Sequence, residues 1–422
     1  MAWLDCIQHE FQEATLDECG RLVWTKSPDK KPVERLPQIF WADHSPWDEA
    51  NAWSTERTAS SAVDAETVRR EMKHLYRYAN WLESKGLDWR HFPVRQAEQV
   101  LRIFRKHLVD ERKAGRLRGS TVSNCMNAVI RFYRFANLHN LVGNTVPMWH
   151  DRHIAIPIAD SCGFRRAVLR MSSDLSIPYR RVVGDQLEDG LLPLLSEDMN
   201  RLLRYTAEHE TEELHLMLCH GFFTGARVGT NVTLTVTGLE IAREDPFMPG
   251  VFLLAVGPGT GIATKGSVSG NLWVPKVVLD DLKRYATSTK RLMRETRALP
   301  KHKNLLFLTR SGRPYTVATV DRLVLDMRAR AVMAEMRFME QFKFHQSRAT
   351  FGTWFLDILL KSGASTTEAV GVLRDAMLHK HEQTSLRYVK FREKTRVKQE
   401  VSAAFSAAFT GIRRRNWNHV QA

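Results

Sequence analysis

Near its C-terminal end the chain reads Phe344-His345-Gln346-Ser347-Arg348, and Tyr388 follows His379 by nine residues. Far upstream stands Thr224-Gly225-Ala226-Arg227. These segments supply two guanidiniums, two imidazoles and a phenol, the groups needed to hold a phosphodiester and attack it. Arg227 and Arg348 offer planar forks of N–H donors, which meet two phosphate oxygens in a way an ammonium cannot. A pentavalent phosphorane concentrates negative charge on those oxygens, so fixed cations there lower the barrier. A phenol with a pKa of about 10 is protonated at neutral pH, so Tyr388 as a nucleophile needs cationic neighbours.

Two further residues fit the same chemistry. Lys265 lies in Thr264-Lys265-Gly266-Ser267, a turn between two predicted strands, where an ammonium can protonate a leaving alkoxide. Lys276, just after Pro275, is the alternative lysine. His345 precedes Arg348 by three residues, which places both on one side of a helix. His381 competes with His379, and the interval to Tyr388 favours His379.

Elements must hold these residues in place. Helical periodicity runs from Asp64 through Val68, Met72, Leu75, Tyr76, Ala79 and Leu82 to Gly86. Further helices are expected over 96–113 and 120–137. Arg69, Arg70, Lys73 and Arg77 lie largely off the first apolar stripe, and Arg131 and Arg134 share one side of the third helix, giving this module a basic, DNA-facing surface. Residues 140–195 hold few periodic elements but carry Arg165, Arg166, Arg170, Arg180 and Arg181, a basic linker able to follow phosphates. From Ser196, helices are expected over 197–208, 212–224, 276–297, 316–340, 346–361, 366–378 and 384–391, with strands over 233–239, 251–256 and 271–274. The expected domains are therefore an N-terminal extension of unknown role (1–60), a helical module (61–145), a basic linker (146–195), a catalytic domain (196–400) and a tail (401–422). The tail has an apolar stripe from Val401 to Ile412 followed by Arg413-Arg414-Arg415, and packs either in cis or on a neighbouring subunit.

Composition agrees with a polyanionic partner. The chain has 422 residues and a formal net charge of +15. Residues 1–60 hold 6 Lys and Arg against 11 Asp and Glu, while the other 362 hold 56 against 36. So strong a positive field favours nucleic acid over a small metabolite. No apolar run reaches the roughly 18 residues of a membrane span, and the start lacks the basic-then-apolar pattern of a secretory signal. The expected location is cytoplasmic, associated with the nucleoid. Five scattered cysteines read as reduced thiols, and neither a carboxylate metal cluster nor a Gly-x-x-x-x-Gly-Lys phosphate loop is present in the sequence, so no cofactor or metal is expected.

The strings Phe222-Phe223-Thr224-Gly225-Ala226-Arg227, Phe307-Leu308-Thr309-Arg310-Ser311-Gly312-Arg313-Pro314, His345-Gln346-Ser347-Arg348 and Leu378-His379 through Tyr388 resemble, in this order, motifs of the tyrosine recombinase (phage integrase) family. The likeness covers residues 196–395 by motif and 62–140 by helical pattern. It implies a mainly α fold with a small antiparallel β-sheet (α+β), in which a helical core-binding domain and a catalytic domain form a C-clamp around DNA. It also implies cleavage and rejoining through a 3′-phosphotyrosyl intermediate, with Arg227, Lys265, His345, Arg348 and His379 assisting Tyr388. The partners implied are double-stranded DNA, further copies of the chain as a tetramer on two sites, and accessory recombinases. Related readings are a type IB topoisomerase and a non-catalytic DNA-binding protein on the same scaffold. Two positions depart from the family pattern: Thr230 stands where an acidic residue is common, and Leu378 where glycine is usual.

Overall fold

The structure is a computed structural model that describes residues 1–30, 32–60, 63–143, 146–159, 165–179, 187 and 190–408, excepting the side chains of 157–159, 165, 166 and 403–408. The chain divides into two units, Met1–Ile158 with Arg166–Arg181, and Ala159–Arg165 with Val182–Ala422.

In the first unit, strands β1 (Trp3–His9), β2 (Gln12–Leu16), β3 (Leu22–Lys26) and β4 (Val33–Phe40) form two antiparallel pairs, β1 with β4 and β2 with β3. Helices α1 (Asp48–Ala59), α2 (Ala65–Lys85), α3 (Val100–Lys113) and α4 (Gly119–Leu138) follow. Helix α2 starts where Asp64 accepts a hydrogen bond from Glu66 N, and stops where Gly86 takes the left-handed conformation at φ 59°. Its stripe of Val68, Met72, Leu75, Ala79 and Leu82 is buried, as the periodicity required. Trp47 and Trp53 from the leader enter the same core as Trp89 and Phe132, so residues 1–60 share a hydrophobic interior with the helices. Leader residue Trp24 is an exception, standing 62% exposed on β3. At the centre of the core the Tyr78 hydroxyl lies 2.7 Å from that of Tyr133, which donates to Trp89 O, and burial drives both phenols well above their ordinary pKa.

Residues 140–195 prove more regular than the sequence suggested. They contain a two-stranded sheet, β5 (Asp151–Ala159) with β6 (Arg165–Ser173). Pro157, inside β5, and the scattered Pro147, Pro178 and Pro193 hid the strand signal in Ile154 and Ile156. Arg180 and Arg181 lie outside the described residues.

The second unit begins with α5 (Ser196–His209), α6 (Glu212–Thr224), α7 (Val228–Val232) and α8 (Val236–Glu240). A three-stranded antiparallel sheet follows, formed by β7 (Arg243–Asp245), β8 (Met248–Val256) and β9 (Gly270–Pro275) in that order. Then come α9 (Lys276–Ala286), α10 (Thr289–Thr296), α11 (Val317–Met333), α12 (Gln346–Lys361), α13 (Thr366–Ala376) and α14 (Glu382–Ala408).

Four expectations need correction here. The β-branched run 233–239 is partly helical rather than extended, because the Thr235 hydroxyl accepts from Gly238 N at 3.1 Å and caps α8; local capping overrides strand preference. The span 276–297 is two helices, broken where Ser288 caps α10 by accepting from Arg291 N. The helix expected over 316–340 stops at Met333, and Glu335 beyond it is left-handed at φ 60°. The short segment expected at 384–391 belongs to the much longer α14; the tail from residue 409, including Arg413-Arg414-Arg415, lies outside the described residues.

Candidate active site

The first arginine is set by the junction of α6 and α7. Gly225, at φ 67°, ends α6, and a Cβ there would sit 2.5 Å from the Phe351 ring, so only glycine fits both the angle and the space. The Thr224 hydroxyl donates to His220 O at 2.6 Å and accepts from Ala226 N at 3.2 Å, tightening the turn. Arg227 then occupies the N-cap of α7 with extended backbone, half-buried.

Arg348 reaches the same turn from α12. It is 1% exposed, donating from Nη1 to Gly225 O and from Nη2 to Met377 O, both at 2.6 Å. Its guanidinium thus joins the end of α6 to the end of α13. His345 is the N-cap residue of α12 and is half-buried. Helices α6 and α12 approach closely at Gly221, where a Cβ would meet the Ser347 hydroxyl at 2.7 Å.

The histidine and the tyrosine come from the α13–α14 junction. Leu378 holds a left-handed φ of 52°, the conformation that glycine would take without strain. Its side chain is seated over Gly270 of β9, where a Cβ would lie 2.5 Å from Leu378 Cδ2. The turn delivers His379, 6% exposed, whose Nδ1 is 2.8 Å from the Ser385 hydroxyl. The His379 ring stacks on Tyr388 with centroids 6.0 Å apart. Tyr388 is 2% exposed, packed against Gly352 of α12.

One cavity of about 320 Å³ is lined by Arg227, Lys265, His379 and Tyr388, all from one chain. Lys265 arrives on the β8–β9 connection, a turn closed by the Thr264 hydroxyl donating to Val268 O at 2.6 Å. Lys276 does not line this cavity; it pairs with Asp280 at 3.6 Å. His381 also lines it but is exposed, whereas His379 is buried against the tyrosine. Arg348 and His345 are not among the lining residues; Arg348 holds the carbonyls of Gly225 and Met377, each within two residues of a lining residue, Arg227 or His379. Lys380, Arg387 and Thr384 line the cavity too, and sequence reasoning passed over them. They lie within the His379-to-Tyr388 interval but follow no spacing rule. Among the described residues, four permanent cations and no carboxylate line the cavity, an arrangement suited to an anionic ligand.

The basic residues expected to face DNA fall into two groups. Arg69 pairs with Glu66 at 3.0 Å, Arg131 with Glu71, and Arg134 with Asp151 at 2.6 Å; Arg70 donates to the Thr67 hydroxyl at 3.3 Å. These have partners within the protein. Lys73 and Arg77, by contrast, stand exposed four residues apart on α2. Arg165 and Arg166 belong to β6, and their side chains lie outside the described residues. Among the described residues, no helix is long and apolar enough to cross a membrane.

No protein-family model matches the sequence, and no curated protein matches it. Solved structures do. The integrase of transposon Tn1549, in complex with a circular intermediate DNA, is 14% identical with a TM-score of 0.50, over 81% of this chain and 94% of that one. Lambda integrase, residues 75–356, as a dimer bound to a COC′ core site, is 14% identical with a TM-score of 0.47, over 82% of this chain and 95% of that one. At such identity a likeness speaks for the fold. The mainly helical architecture with its small antiparallel sheets, and the superposition on the Tn1549 integrase, show that the chain has the tyrosine recombinase fold.

Proposed function

We propose that the chain is a site-specific DNA recombinase of the integrase or transposase-like kind, which cleaves and rejoins duplex DNA through Tyr388. The observation that carries this reading is the cationic cavity in which Tyr388, His379, Arg227 and Lys265 meet within one chain.

In the proposed reaction the scissile phosphate enters the cavity, where Arg227 holds a non-bridging oxygen and His379 adds a hydrogen bond, while Arg348 braces the Gly225 and Met377 carbonyls beside it. The Tyr388 oxygen attacks phosphorus as its proton passes to solvent in the cavity. The bond to the 5′ oxygen breaks, and Lys265 donates the proton that makes it a free hydroxyl. A 3′-phosphotyrosyl ester remains. Because that ester conserves the energy of the broken linkage, attack by a 5′ hydroxyl of the same or another strand restores DNA without ATP. The Tn1549 integrase is described on a circular intermediate DNA, which supports duplex DNA and a mobile element as the setting. Several copies acting on two sites, and a location at the nucleoid, follow from that setting.

A pool of nicked duplexes with randomised core sequence tests the proposal. Incubated with the protein and then denatured, the pool should yield a covalent adduct whose DNA-linked peptide contains Tyr388, and Tyr388→Phe should give none. An adduct that persists in Tyr388→Phe rejects the nucleophile. Relaxation of any supercoiled plasmid by a monomer, without sequence enrichment in the pool, supports the topoisomerase reading instead.

A further inference from the structure

Beside the cavity residues, one side chain grips the backbone of Arg227 and a second holds the first. His220 on α6 and Asn231 on α7 are both 0% exposed, and neither lines the cavity. His220 Nδ1 is 2.8 Å from Asn231 Oδ1. Asn231 donates to Arg227 O twice, from Nδ2 at 3.2 Å and from its backbone N at 3.0 Å.

These contacts fix the protons. An amide nitrogen donates and an amide oxygen accepts, so the Asn231 oxygen must receive its hydrogen from His220 Nδ1. His220 Nε2 is therefore the bare nitrogen, and among the described residues it is buried with no hydrogen-bond partner. A second proton on the ring would leave an N–H in apolar surroundings without an acceptor, and burial accordingly pushes the His220 pKa down to about 4. The pair stays uncharged at neutral pH. Position 230, where an acidic residue would stand beside the arginine, is threonine in this chain. A carboxylate there would offset part of the positive charge of Arg227, whereas an imidazole and an amide leave that charge for an anionic ligand.

We infer that His220 and Asn231 form a neutral positioning pair, which fixes the Arg227 backbone at the start of α7 and thereby aims its guanidinium into the cavity. This rests on reading the cavity as a strand-transfer site. The pair touches no reacting atom and acts only through Arg227. An arginine misplaced by about 1 Å loses its alignment on the phosphorane, an effect on the order of a hundredfold in rate.

The test measures covalent trapping of the nicked duplex pool in single turnover at saturating DNA, beside equilibrium affinity for the same pool and thermal stability. Asn231→Ala and His220→Ala should slow trapping by on the order of ten- to a hundredfold while affinity holds. The amide nitrogen of His220→Asn falls near the position of Nδ1, so that variant should recover most of the rate. The double alanine variant should be no slower than Asn231→Ala, because the two residues act in series. Equal rates for His220→Asn and His220→Ala, or losses that follow melting temperature and affinity together, overturn the inference. Should Asn231→Ala not fold, the two His220 variants decide. Nitrogen-15 NMR of the histidine ring supplies an arm independent of activity: the wild-type protein should show His220 protonated on Nδ1 alone, and an Nε2–H tautomer overturns the pairing. A wild type that yields no adduct but shows the Nδ1 tautomer refutes strand transfer while leaving the contact between the pair intact.

Discussion

Replacing Gly352 with alanine tests whether Tyr388 reacts from the seat in which it is found. Gly352 lies inside α12, and a Cβ there would stand 2.4 Å from Tyr388 Cε1, 2.8 Å from its Cζ and 2.7 Å from Met377 Sδ. Ordinary contact begins near 3.4 Å, so the ring must retreat by about 1 Å. Two stability effects oppose each other. Overpacking costs about 1–3 kcal/mol, and alanine in place of glycine within a helix returns about 1 kcal/mol. The net is about 0–2 kcal/mol of destabilisation, a melting shift of a few degrees in a unit of this size. The chemical effect is larger, since displacing the nucleophile by 1 Å costs on the order of a hundredfold in rate. Single-turnover trapping of the nicked duplex pool, with thermal unfolding in parallel, should therefore show a folded protein that cleaves slowly. Wild-type trapping by a stable Gly352→Ala protein would refute the reasoning, because the ring would then have to leave Gly352 before attacking.

Arg348→Ala should cost about 3 kcal/mol or more in urea unfolding, since it strips charged donors from two buried carbonyls, those of Gly225 and Met377; a loss below about 1 kcal/mol would contradict this. Lys73→Ala with Arg77→Ala should lower the slope of log affinity against log salt by about 2 if both meet phosphates, at about 0.9 each, whereas Arg131→Ala should leave it unchanged, because Arg131 is engaged by Glu71, which keeps Arg57 as a second partner; an unchanged slope in the first pair would remove α2 from the DNA surface. Stability should fall with acid. Above pH 6.5 His220 is neutral whether folded or unfolded and contributes nothing; below it the unfolded chain takes up a proton that the folded chain refuses until about pH 4, a loss approaching about 3 kcal/mol. His74 and His215, also lowered by burial, act in the same direction, and His220→Asn should flatten the slope between pH 6.5 and 4 in urea titrations.

What the chain order alone determined was local. The 3- and 4-residue apolar spacing from Val68 to Leu82 fixes α2, Asp64 and Gly86 fix its ends, and the short motifs around Arg227, His345, Arg348 and Tyr388 are legible as chemistry because each lies within one or two helical turns. Where a local cap overrode strand preference, the expectation failed: the β-branched run at 233–239 turns helical under a threonine cap; Trp47 and Trp53 of the leader are buried as their residue type suggested, in a core whose other members lie later in sequence. Tertiary structure alone decided which groups support the arginines and the tyrosine. His220 meets Asn231 across 11 residues, Arg348 meets Gly225 across 123, and Gly352 makes room for Tyr388 through the packing of α12 on α14. No periodicity encodes such pairs, because a hydrogen bond or a close approach between distant segments depends on how whole helices pack, and packing is a property of the folded chain rather than of any window of residues.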